Sequence, residues 1–208
     1  MDRFFDADNP LMQFLSRAVD LAVLNLLTLL FSLPVVTAGA SLSAMNYVLL
    51  RIRRGEETYI WKMFLKAFRE NLRQGSLLGL VYLIFAAVAG ADLLILRSVG
   101  SRRATGMMFF LTFLSLIVLV SAVYTFALQA RFANTIRGTL LNAWKLLVGY
   151  PLRTVGILAV WILWAVILVL GNQGMVFLYV LYGLSVPGLL CTILYDPIFR
   201  KLEREAEG

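Results

Sequence analysis

Few side chains here could do chemistry, and they are scattered. The 208 residues contain no histidine and a single cysteine, Cys191, which sits inside an apolar run. An intrachain disulfide is therefore excluded, and the His- or Cys-rich zinc sites lose their ligands. General acid–base work would fall to isolated carboxylates, and no two acids recur at helical spacing inside the apolar segments. No catalytic residue, metal ligand or cofactor is expected. Enzyme ranks third among the functions considered.

Asp92 is the acid that stands out, because a charge inside an apolar crossing costs about 2.5–3.5 kcal/mol on insertion scales. The plain expectation is an ion pair with Arg97 or a loop cation near the outer surface; the sharper one is a proton- or ligand-responsive site. Asn25, Asn46 and Gln129 are uncharged polar residues in apolar helices, where bonds across helices worth about 0.6 kcal/mol each are the usual use. If they converged, Asn46, Asp92 and Gln129 would form a polar mid-membrane site. Asp20 is expected to pair with Arg17 at i, i+3. Arg97, Arg102 and Arg103 form a basic outer loop, either solvated or touching phosphate, teichoic acid or acidic sugar. The string RIRRGEE has one glycine and lacks phosphate-loop spacing.

The elements that must hold these residues belong in lipid. The chain is 61% hydrophobic with a mean hydropathy of +0.83, against roughly 45–50% apolar for a soluble domain. Its net charge of +7 then reads as positive cytoplasmic loops, and nucleic acid is not an expected partner. The acidic N-terminus lacks the basic region and cleavage site of a signal peptide, so the first apolar run is expected to stay. Asn9-Pro10 looks like a helix start, and Phe4 and Phe5 like interfacial anchors. Six crossings are predicted, over about 18–36, 38–52, 75–96, 107–130, 154–170 and 175–195, in a single transmembrane domain. The second is short for a hydrocarbon layer about 30 Å thick, so it is either a short crossing or a re-entrant piece.

Between the second and third crossings, Lys62, Lys66, Arg69 and Arg73 share one helical face opposite Phe64, Ala67 and Phe68. That pattern predicts a basic amphipathic helix over 58–73, suited to anionic headgroups or an acidic partner, with a weaker counterpart over 140–150. Glu56, Glu57 and Thr58 supply its start. A turn is expected at 171–174, a kink at Pro187-Gly188, and a stop at Asp196-Pro197. With six crossings both termini are cytoplasmic, and sixteen cations lie inside against three outside; with five the split is fourteen to five. The positive-inside bias slightly favours six. A faint internal repeat, YVLLRIRRGEETYIWKMFLKAFRENLRQGSLLG against FALQARFANTIRGTLLNAWKLLVGYPLRTVGIL, points the same way.

The strings FFDADNPLMQFLSRAVDLAVLNLLTLLFSLPVVTAGAS, RRGEE and FLKAFRENLRQ resemble the YesL family of bacterial membrane proteins, most closely over residues 4–75. The resemblance implies a domain of unknown function encoded beside carbohydrate ABC importers, sensor kinases or glycan-degrading enzymes. It brings no catalytic residues. The expected protein is an all-α polytopic helix bundle of the bacterial plasma membrane. Its expected role is a non-catalytic accessory or regulatory one in carbohydrate uptake or sensing, with an importer or sensor kinase as partner. The runner-up is a small transporter or channel. Gly75-x-x-x-Gly79 also fits self-association into a homo-oligomer.

Overall fold

A computed structural model of the chain describes residues 10–56, 59–171 and 175–207. Asn9, Phe4, Phe5, Glu57, Thr58 and the turn residues 172–174 lie outside that range. The described residues are all-helical: α1 (Pro10–Ser32), α2 (Ala38–Arg53), α3 (Ile60–Val99), α4 (Arg102–Arg131), α5 (Ile136–Gly149), α6 (Pro151–Leu170), α7 (Met175–Tyr182) and α8 (Ser185–Glu207). Five segments are long and apolar enough to cross a membrane: Met12–Ser32, Val35–Arg53, Ile60–Val99, Arg102–Arg131 and Pro151–Leu170. The bent pair α7–α8 makes a sixth when taken as one span. Phe109, Phe110, Phe113, Leu163 and Val169 point outward, as they do when lipid is the solvent.

The short helix is the centre of the fold. No residue of α2 is exposed, and α1, α3, α4 and α8 pack around it. Enclosed on most sides by its neighbours, α2 needs neither twenty residues nor a purely apolar surface. It accordingly carries buried Ser41, Ser43 and Asn46. The Ser41 hydroxyl donates to the Thr28 carbonyl at 2.8 Å, tying α2 to α1 across the Pro34 turn. Gly39 meets Gly75 and Gly79 of α3 backbone to backbone, without room for a β-carbon. The Gly75-x-x-x-Gly79 face is thus filled within the chain, which removes it as a self-association surface.

Two packed clusters surround α2. Leu24, Ala44, Val48, Phe64 and Ala67 form one, extended by the rings of Phe31, Phe64 and Phe68. Tyr124, Ala127, Leu146, Ile157, Cys191 and Phe199 form the other, between α4, α5, α6 and α8.

Three boundaries differ from expectation. The basic amphipathic segment is no separate interfacial helix. It is the first part of the continuous helix α3, whose 40 residues reach about 60 Å at 1.5 Å each. Nothing between Arg73 and Gly75 breaks a helix, since a lone glycine costs only about 1 kcal/mol there. The counterpart α5 is separate, because Tyr150 leaves helical geometry and Pro151 starts α6. The two strings of the repeat therefore fold differently.

The last span breaks at Gly183-Leu184, not at Pro187-Gly188, with a bend of 50°. Pro187 falls in the first turn of α8, where the missing amide costs no helical bond. The helix also runs through Asp196-Pro197 to Glu207 instead of stopping there. Near Pro197 the carbonyls of Thr192 and Leu194 accept from Arg53 and Arg153, respectively.

Candidate functional site

Polar contacts run along the seam between α2 and its neighbours. Asn25 of α1 faces the α7–α8 break: its Oδ1 accepts from the amides of Leu184 at 2.8 Å and Ser185 at 3.0 Å. Its Nδ2 donates to the Val180 carbonyl at 2.8 Å. One asparagine thus replaces the partners that a broken helix leaves unpaired. Asn46 of α2 accepts from the Tyr195 hydroxyl at 2.6 Å and donates to the Leu42 carbonyl at 2.8 Å.

The next residue after Tyr195, Asp196, is fully buried among guanidiniums. Its Oδ1 accepts from Arg54 at 3.1 Å, its Oδ2 accepts from Arg200 at 3.0 Å, and Arg53 Nε stands 3.7 Å from Oδ2. Glu203, one helical turn beyond Arg200, accepts from Arg131 Nε at 2.5 Å and lies 4.0 Å from Arg54. The cluster fastens the ends of α2 and α4 to α8. Arg53 ends α2 and Arg54 caps it, and Gly55, at φ 73°, closes the helix in the left-handed conformation glycine favours. Asp196 read in sequence as a helix stop. The available signal was its position: an acid ending an apolar run, in a chain whose cations outnumber acids nineteen to twelve.

No hydrogen bond joins Asn46, Asp92 and Gln129, the residues predicted for a mid-membrane site. Asn46 bonds Tyr195, whereas Gln129 Nε2 donates to Asn71 of α3 at 2.9 Å. Asp92 is exposed on α3 and forms no ion pair among the described residues, so the expected bond to Arg97 is not made. Arg17 likewise donates to the Ile52 carbonyl at 3.2 Å rather than pairing with Asp20. Arg97, Arg102 and Arg103 are exposed around the α3–α4 turn, where Gly100 has a φ of 62° and Ser101 caps the Ala104 amide at 3.1 Å. Lys62, Lys66, Arg69 and Arg73 are exposed on α3, opposite the buried Met63, Phe64, Ala67 and Phe68.

A concavity among the described residues lies elsewhere and is apolar. A groove of about 540 Å³ opens between the start of α2 and the helices α3 and α4, lined by Gly39, Tyr82, Ala86, Gly90, Leu116 and Phe126 among others. The Tyr82 hydroxyl is tied to Ser121 at 3.0 Å and Thr125 at 2.8 Å, and its ring packs beside Phe126. Among the described residues no group of His, Cys, Asp and Glu is arranged to hold a metal.

Residues 21–93 match a protein family described as "Protein of unknown function, DUF624". That stretch runs from α1 through α2 into the apolar part of α3, so it contains the whole wrapped helix and its glycine contact. No curated protein and no solved structure matches the chain.

Proposed function

We propose that this chain is a non-catalytic, multi-pass protein of the bacterial plasma membrane that serves as an accessory or regulatory partner in carbohydrate uptake or sensing. The observation that carries the reading is the use made of interior polar groups. Asn25, Asn46, Gln129 and Asp196 bond to backbone, to side chains of neighbouring helices or to guanidiniums, and none of them lines the apolar groove. A transporter needs such groups to converge on a water-reachable site. The setting comes from the YesL resemblance, with which the DUF624 match is consistent. In this reading both termini and the basic loops are cytoplasmic, as the positive-inside bias favours.

A small transporter is the second reading, and the α7–α8 break favours it, because discontinuous helices commonly frame transport sites. Here the amides freed by the break are already taken by Asn25. Purification from native membranes in mild detergent, followed by mass spectrometry, tests the choice. An importer subunit or a sensor kinase should travel with the chain. Sugar uptake by liposomes containing this chain alone would overturn the accessory role in favour of the transporter.

A further inference from the structure

We propose that the apolar groove between α3 and α4 holds one acyl chain of an anionic phospholipid, with the lipid phosphate at Arg97, Arg102 and Arg103. The groove follows α3 from Gly79 to Leu93 and α4 from Thr112 to Phe126. Fourteen steps of helix rise make it about 21 Å long, enough for the acyl chain of one leaflet, whose share of the hydrocarbon core is about 15 Å. Small residues make the depression: Gly79, Ala86, Ala89, Gly90 and Ala122 leave the space that larger side chains elsewhere on these helices would fill. A β-carbon added at Gly90 would meet nothing within 4 Å. The only ring hydroxyl at the wall, Tyr82, is turned to Ser121 and Thr125, which leaves an apolar ring towards the groove.

Charge decides the headgroup. Arg97 lies one helical turn beyond Leu93, and Arg102 and Arg103 open α4 on the other side of the Gly100 turn. All three are exposed and unpaired by any acid among the described residues, and the nearest carboxylate along α3 is the exposed Asp92. Three guanidiniums against one carboxylate favour a net negative headgroup over a zwitterionic one, and the planar guanidinium fork suits phosphate oxygens. This use of the basic turn and of the groove does not depend on the accessory role.

Native mass spectrometry of the full chain in mild detergent tests it, with equimolar phosphatidylglycerol and phosphatidylcholine of identical chains in competition and glycerol 3-phosphate as a third arm. The wild type should retain phosphatidylglycerol about tenfold over phosphatidylcholine. The triple variant Arg97→Gln, Arg102→Gln, Arg103→Gln should keep bound lipid and lose that preference. Gly90→Leu, which fills the groove without a backbone clash, should retain several-fold less of both lipids; Ala86→Leu serves if Gly90→Leu does not fold. A wild type without preference, a preference that survives in the triple variant, or unchanged lipid retention in the filled groove would overturn the proposal. So would glycerol 3-phosphate competing as well as the intact lipid, which would make the turn a soluble-anion site.

Discussion

Gly39 and Gly79 bring α2 and α3 together so closely that a β-carbon on Gly39 would stand 2.7 Å from the Gly79 Cα. The neighbouring atoms are backbone, so they cannot swing aside as the end of a side chain can. Gly39→Ala should therefore lower stability by about 1–3 kcal/mol through overpacking, read as a fall in the thermal midpoint in detergent. Gly90→Ala, on the same long helix but facing open space, should be neutral or stabilising by up to about 1 kcal/mol. Equal midpoints for Gly39→Ala and the wild type would show that the helices do not approach as described.

Asn25 is a hinge pin for the broken span. In Asn25→Leu the amides of Leu184 and Ser185 lose their acceptor, and the Val180 carbonyl loses a donor. A loss of about 2 kcal/mol is expected, between the average of about 0.6 for one hydrogen bond in a membrane and the full penalty for buried orphan groups. Hydrogen exchange provides the local readout: protection at Leu184 and Ser185 should fall in the variant. Unchanged protection there would separate Asn25 from the break.

Why some of this was legible in the sequence and some was not has a physical answer. Apolar runs bounded by charges mark helices that face lipid, and the last residues of α4 and α6, Arg131 and Leu170, fall within one residue of the expected 130 and 170, whereas α4 starts five residues ahead of the expected 107. The existence of α2 was legible too, because Pro34 and the small residues after it force a turn, but its central position was not. A short helix with Ser41, Ser43 and Asn46 reads as a marginal crossing until its neighbours are known to enclose it. Partner choice among polar residues was equally hidden. Asn46 finds Tyr195 and Arg54 finds Asp196 across 149 and 142 residues, distances over which periodicity carries no information. The end of α8 was misread for a different reason: Pro197 removes one amide, the i+4 donor to the Ile193 carbonyl, while the packing of Tyr195, Ile198 and Phe199 and the ion pairs of Asp196 hold the helix on both sides of it.

Asp196 should be the most sensitive charged position. Its carboxylate is fully buried while the surrounding arginines are partly exposed, with side-chain exposures of 18% for Arg54 and 50% for Arg200. Asp196→Asn removes the charge that several guanidiniums share, and a cost of about 3 kcal/mol is expected, at the lower end for broken buried pairs because the arginines reach solvent. Lys201→Gln, which breaks an exposed i, i+4 pair with Glu205, should change stability by less than about 1 kcal/mol. Similar thermal midpoints for the two variants would mean that the cluster does not clamp α8.

The lone cysteine reports whether that clamp holds. Cys191 is 1% exposed and shares a cluster with Tyr195, Ile198 and Phe199, so the folded chain should resist a membrane-permeable maleimide until SDS unfolds it. Because the same turn of α8 carries Tyr195 and Asp196, loosening one end should open the other. Asp196→Asn is therefore expected to label at Cys191 faster than the wild type under native conditions, whereas Lys201→Gln is not. Rapid labelling of the wild type would place α8 away from α4 and α6, and with it the second packed cluster around α2.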